Sequence, residues 1–337
     1  MTMKINNFQV LLQKFFLQWL ITQRNVSPET VKSYRDSFRL FIKYLEKCHK
    51  VKPSAITVNC LEAEYVLGFL SFLETERGNQ PSTINNRLSA INSFLRFLSF
   101  EIPEYSGLLS RSLMIPYRKE DKRQMDFLTK EEYQSLLKVC DPCSDLGHRD
   151  KLMLLILYNT GCRVSELVGI KAGHIVMDAG GLPSYVHIHG KGRKERDVPL
   201  WKTTAVFLRS YLDSQKIGDG NAKLFTNRTD NDLTRSGVRY RLGCLVKKAS
   251  VSTPSLNKKT ITPHSFRHTA ALNLLQSGVD ISTIAIWLGH ESILTTHKYM
   301  EADMEMKRRT LEKIQDIGET PYQFRPDNAM LSFLDSL

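Results

Sequence analysis

Long apolar runs are what this sequence most plainly lacks. Across 337 residues the longest strongly apolar stretch is Leu152–Tyr158, far short of the roughly 18 residues that a membrane-spanning helix needs. No membrane span is expected. Cysteine is sparse as well: Cys48, Cys60, Cys140, Cys143, Cys162 and Cys244 are scattered along the chain, a pattern that suits reduced thiols and excludes a disulfide framework. The pair Cys140-Asp-Pro-Cys143 has no second Cys or His pair at zinc spacing, so no metal site is expected there. His148-Arg149-Asp150 has no Gly-rich phosphate loop before it, which argues against a kinase. His264 and His268 stand four apart, but position 265 is Ser and the general-base Glu of a zinc protease is missing. Nor is there a signal peptide pattern, since Gln13 and Lys14 interrupt the first apolar stretch and no small-residue cleavage site follows. A cytoplasmic protein is expected.

Acidic residues are also in deficit. Forty-seven Lys and Arg against 35 Asp and Glu leave a formal charge of +12, which favours a polyanionic partner, with nucleic acid ahead of a membrane surface. At 42% apolar and 24% charged residues, the chain has room for two ordinary domains and is too apolar to be disordered.

The first third reads as helices alone. Leu11, Leu12, Phe15, Phe16 and Trp19 recur at helical spacing. Ser27 as N-cap and Pro28 at the first helical position open a second helix, which buries Val31, Tyr34, Phe38, Phe41, Ile42 and Leu45. On the same helix Lys32, Arg35, Arg39 and Lys43 form one cationic stripe beside the apolar face. A third helix is expected near residues 61–75, and Ser82 is expected to cap a fourth that turns Ile84, Leu88, Ile91, Leu95 and Leu98 inward. After Glu101 the pattern fails, interrupted by Pro103 and Pro116, and the stretch 118–123 is almost wholly charged.

Structure restarts at Thr129-Lys-Glu-Glu132, a capping box. A helix over 150–159 ends before Gly161. The one good β signal follows: Tyr185–His189 and Arg196–Leu200 flank Gly190-Lys-Gly-Arg-Lys194, a hairpin with a basic tip. Helices return near 203–214, 234–250, 265–276, 281–288 and 299–314. The expected domains are a helical domain over 1–116, a linker over 117–125, a mostly helical mixed domain over 126–315 and a tail over 316–337. The fold class is an N-terminal all-α bundle followed by a mixed α/β, mostly helical domain with a small antiparallel sheet.

Polar residues concentrate at element boundaries in the second domain. Arg163, Lys191, His264, Arg267, His290 and Tyr299 each have an ordinary explanation taken singly. Arg163 and Lys191 suit a solvated surface, and Tyr299 suits a core site with a wet hydroxyl. Together they are the parts that metal-free phosphoryl transfer requires. A phosphodiester attacked by a tyrosine oxygen gains charge on its non-bridging oxygens, and guanidinium forks are shaped to hold it. The nucleophile has an ordinary pKa of about 10, so it needs a cationic pocket and a proton acceptor such as His264. The departing sugar oxygen needs an acid, for which Lys191 is the best candidate.

In Ser27-Pro-Glu-Thr-Val-Lys-Ser-Tyr34, Thr160-Gly-Cys-Arg-Val-Ser-Glu-Leu167, His189-Gly-Lys-Gly-Arg-Lys-Glu-Arg196, His264-Ser-Phe-Arg-His268, Leu288-Gly-His290 and Thr295–Tyr299, the chain resembles the tyrosine recombinases, or phage integrase family, in their Xer-like branch. The resemblance implies that Arg163 and Arg267 clamp phosphate, Lys191 is the general acid, His264 an acid/base, His290 a phosphate hydrogen-bonder and Tyr299 the nucleophile. It further implies a C-shaped clamp on double-stranded DNA and a 3′-phosphotyrosyl intermediate, with no metal or nucleotide cofactor. The expected partners are double-stranded DNA, copies of the chain in dimers and tetramers on paired sites, and accessory recombinases. Lys32, Arg35, Arg39, Lys43, Arg193 and Lys194 are the DNA-contact candidates. After Tyr299 the sequence departs from compact Xer-like chains and looks like recombinases of mobile elements, in which integration, excision or transposition replaces chromosome-dimer resolution. A type IB topoisomerase, which nicks and reseals without exchanging partners, is the alternative for the same pocket. The apolar segment Ala329, Met330, Leu331, Phe333, Leu334 and Leu337 is too short to be a stable helix alone and is expected to dock on an adjacent protomer.

Overall fold

A computed structural model describes residues 7–120, 126–190 and 194–290. The chain divides into two compact units between Arg123 and Gln124. In the first unit, α1 (Phe8–Lys14) runs into a π-helical stretch, Phe15–Gln23. The sequence predicts plain α-helix here. The widening places Phe15 and Leu20, five apart, on one fully buried side, as i→i+5 bonding dictates. Helix α2 (Pro28–His49) starts as predicted, with Ser27 accepting from the Thr30 N–H at 3.3 Å. Helix α3 covers Ala63–Thr75 and α4 covers Pro81–Glu101.

Two further expectations fail in this unit. The N-cap of α4 is Gln80, not Ser82, because Pro81 takes the first helical position, where its missing N–H costs nothing. The stretch after Glu101 is not irregular throughout: Pro103 opens a 3₁₀ turn that leads into α5 (Ser106–Leu113). Burial of Leu109 and a 2.7 Å hydrogen bond from Ser112 Oγ to the Leu61 carbonyl fix α5 in place. The core is aromatic, with Phe15 at 5.1 Å from Phe94, 5.5 Å from Phe97 and 6.1 Å from Phe38 between ring centres. Such pairs each add about 0.5–1.5 kcal/mol beyond their area burial.

The second unit begins with α6 (Lys130–Lys138), held by the predicted capping box of Thr129 and Glu132. Helix α7 (Asp145–Thr160) starts five residues before the predicted limit, where Ser144 accepts from the Gly147 N–H. A short α8 (Val164–Leu167) precedes a three-stranded antiparallel sheet: β1 (Ile175–Met177), β2 (Pro183–His189) and β3 (Glu195–Pro199). Strand β1 goes beyond the predicted hairpin; three residues are too few for an alternating pattern to show. Val186, Ile188 and Val198 of the sheet face the core. Helices α9 (Lys202–Ser214), α10 (Arg235–Ala249), α11 (Pro263–Gln276) and α12 (Ile281–Leu288) complete the described part. The predicted helix at 299–314 and the tail lie outside the described residues.

The His148-Arg149-Asp150 run has a structural use. Asp150 is fully buried; its Oδ1 accepts from Arg149 Nε and Nη2 at 3.1 and 2.6 Å, and its Oδ2 from Arg241 Nε and Nη2 at 2.9 and 2.7 Å. This carboxylate ties α7 to α10. Asp150→Ala strands buried guanidinium charge and is expected to cost roughly 3–5 kcal/mol in urea unfolding; a midpoint equal to that of the parent chain would refute this.

Candidate active site

Helix α7 ends at Gly161, whose backbone is left-handed at φ +60°. A Cβ there would lie 2.5 Å from Leu288 and 3.1 Å from the Ala270 methyl, so this turn can approach α11 and α12 only as glycine. The turn delivers Arg163 to the start of α8. There the Arg163 N–H donates to Glu166 Oε2 at 2.9 Å and Nη1 donates to Oε1 at 2.8 Å. Arg163 Nη2 donates to the Gly289 carbonyl at 3.1 Å.

Arg267 comes from α11 and is only 2% exposed. Its Nη1 donates to the Gly161 carbonyl at 2.9 Å and its Nη2 to the Leu288 carbonyl at 2.7 Å. A third guanidinium arrives from β3: Arg196 Nη2 donates to Glu166 Oε2 at 2.7 Å and Nε to the Trp287 carbonyl at 2.8 Å. Three successive carbonyls at the end of α12, those of Trp287, Leu288 and Gly289, thus each accept from a different arginine. The last carbonyls of a helix have no partner within it and carry its negative dipole end, which suits them to cations.

Glu166 and Arg196 have no role in the set proposed from sequence. A signal for Arg196 does exist, since it has the strand parity of buried Val198 and stands opposite buried Ile188 in the β2–β3 register. Glu166, three residues after Arg163, is within reach on the same turn. Burial pushes the Glu166 carboxyl up, but its bonds to Arg196 and then Arg163 outweigh this and hold it below the ordinary carboxylate range. Three arginines against one carboxylate leave two net positive charges.

Both histidines share this field. Desolvation, then Arg267 and Arg163, lower the His264 pKa. His290 follows Gly289 at the end of α12, and desolvation, Arg267, Arg163, Arg196 and His264 push it down to about 4. Neutral imidazoles can accept a proton or hydrogen-bond an anion, and an arriving phosphate would offset the arginine field. Among the described residues the structure therefore brings together Arg163, His264, Arg267 and His290 of the predicted set. Lys191, Arg193 and Tyr299 lie outside the described residues. Lys194 is exposed after β2, and Lys32, Arg35, Arg39 and Lys43 are on α2 of the other unit, where Arg35 pairs with Asp36 at 2.9 Å.

Comparison with known proteins settles the family. Residues 126–306 match the phage integrase family and residues 14–101 the N-terminal SAM-like domain of phage integrases. The chain belongs to the phage integrase family. It is 40% identical over 327 residues to a Sinorhizobium fredii protein named as a putative integrase/recombinase, y4rC, covering 97% of each chain. It is 31% identical to the tyrosine recombinase XerD of Listeria monocytogenes, over 84% of this chain and 91% of that one. In fold it is similar to the Tn1549 transposon integrase solved with transposon right end DNA, at a TM-score of 0.66 and 19% identity, over 92% of this chain and 99% of that one. This family member is a site-specific tyrosine recombinase of the Xer-like kind; the topoisomerase alternative is not favoured. No described helix is long and apolar enough to cross a membrane.

Because folded His290 binds its proton only near pH 4 while the unfolded side chain binds it near 6.5, acid favours unfolding across that window. His290→Gln is expected to flatten the fall of the melting temperature between those pH values; an unchanged slope in calorimetry would contradict the shift.

Proposed function

We propose that the cluster at the end of α12 is the phosphate-binding half of the recombinase active site. The observation that carries this is the convergence of Arg163, Arg267, His264 and His290 on one cationic basin, brought there by the α7–α8 turn, α11 and the end of α12. In this reading Arg163 and Arg267 clamp the scissile phosphate, His290 hydrogen-bonds it, and His264 takes or shares the tyrosine proton. Tyr299 attacks the phosphorus, forming a 3′-phosphotyrosyl ester as the 5′-oxygen leaves with a proton from Lys191. Each step exchanges one phosphoester for another, so the bond energy stays in the covalent intermediate. Arg196 and Glu166 act through Arg163 and position it.

The finer assignments rest on the same reading. Residues 1–116 are the DNA-binding domain, 117–125 the linker, 126–315 the catalytic domain and 316–337 the tail. Lys32, Arg35, Arg39, Lys43, Arg193 and Lys194 contact double-stranded DNA. Copies of the chain pair and form tetramers on paired sites, with the apolar tail docking on a neighbour. The biological role is movement of a mobile element, which the integrase/recombinase name of y4rC and the sequence after Tyr299 support.

Incubation with a nicked half-site in EDTA is expected to trap DNA covalently on the parent chain and not on Tyr299→Phe. Trapping by Tyr299→Phe would refute the nucleophile, and loss of trapping in EDTA would refute metal independence. For the α2 stripe, replacing Lys32 and Arg39 by Gln should reduce the slope of log affinity against log salt by about two, one phosphate contact per residue. An unchanged slope would return both side chains to bulk solvent.

A further inference from the structure

The hairpin has a second face that the proposed chemistry leaves unused. Strand parity sends Arg196 and Val198 inward with Val186 and Ile188, and puts His187, His189, Glu195 and Asp197 on the outer side. In the register His187 stands opposite Asp197 and His189 opposite Glu195, so two imidazoles and two carboxylates form a four-residue patch. His174, just before β1, brings a third imidazole, its ring centre 4.5 Å from that of His189. These cross-strand pairs tie β2 to β3 on the side away from the core, which Val186, Ile188 and Val198 already fill.

The hydrogen-bond arrangement of the patch asks for a cation. His187 Nδ1 lies 2.6 Å from Asp197 Oδ1, a donor position, which leaves its Nε2 facing Glu195 Oε2 at 3.2 Å. His189 Nδ1 faces the other Glu195 oxygen at 2.8 Å. Neutral His187 thus points a lone pair at a carboxylate. Either an added proton or a metal ion must stand between them. Two ligands on a tetrahedral Zn²⁺ at its usual bond lengths of about 2.0–2.2 Å are separated by about 3.4 Å, close to the spacing already present.

We propose that His187 Nε2, His189 Nδ1 and Glu195 bind a borderline divalent transition-metal ion of the Zn²⁺ class. The ligand atoms of these three residues lie within 4.8 Å of one another. Two His and one Glu form a known zinc donor set that leaves a fourth position for water, and imidazole favours Zn²⁺, Ni²⁺ and Cu²⁺ over Mg²⁺ and Ca²⁺. Asp197 holds His187 in the ligating tautomer, as an outer carboxylate commonly does. His174 is not a ligand: its Nδ1 accepts from the Lys171 N–H at 3.3 Å, so its Nε2 carries the hydrogen. The site lies at the loop end of the hairpin and on the opposite face of β3 from Arg196. Its ion joins the last residue of β2 to the first of β3 and takes no part in phosphoryl transfer.

The test is a Zn²⁺ titration of the metal-stripped full chain by calorimetry, in a Cys48→Ser, Cys143→Ser background that removes the two exposed thiols. One Zn²⁺ per chain is expected, with no binding of Mg²⁺ and a rise in melting temperature. His189→Ala and Glu195→Gln should abolish that binding and that rise, and Asp197→Asn should weaken affinity about 10–100-fold. These side chains are exposed, so circular dichroism should show all variants folded. Absence of Zn²⁺ binding by the parent would mean that a proton is the cation in the patch and would overturn the proposal. So would Zn²⁺ binding that His189→Ala and Glu195→Gln leave unchanged.

Discussion

The end of α12 is the constraint on which the rest of the site depends. Its last carbonyls, at Trp287, Leu288 and Gly289, have no partners within the helix, and three guanidiniums from β3, α11 and the α7–α8 turn supply them. An orphan carbonyl left in a buried place costs about 1–3 kcal/mol, so each bond has reason to persist before any DNA arrives. The arginines are thereby fixed in orientation by backbone. Backbone is the least adjustable partner a side chain can have, and a phosphate clamp gains from that rigidity because the ordering cost is met in folding.

A counter-charge lowers the cost of bringing three guanidiniums together. Glu166 provides it by bonding both Arg163 and Arg196. One carboxylate is enough to permit packing and too little to neutralise the group, and the surplus positive charge is what a phosphate would meet. Burial first, and then the same surplus, keeps His264 and His290 neutral. Gly289 belongs to the same tight packing: its φ is +65°, and a Cβ would sit 2.8 Å from Arg196 Nη1.

Much of this is legible in the sequence. The α12 limits, the capping box at Thr129 and the α2 start depend on local chemistry, and local chemistry is written in adjacent residues. The candidates Arg163, His264, Arg267 and His290 stand out because their residue types fit one reaction and their motifs resemble one family. What escapes a reading of the sequence is set by contacts distant along the chain. The π-helical stretch answers to packing around Phe15, α5 to Leu109 and Ser112, and β1 to pairing with β2. Glu166 escapes because its second partner, Arg196, is thirty residues away.

The central claim is that Glu166 holds the arginine cluster in its working geometry. Its most direct test is single-turnover covalent trapping of a nicked half-site by Glu166→Gln, with half-site affinity measured alongside. The account predicts nearly unchanged binding and trapping about 100-fold slower, the usual consequence of misplacing a clamp by an ångström. Trapping at the parental rate by a folded Glu166→Gln chain would contradict it.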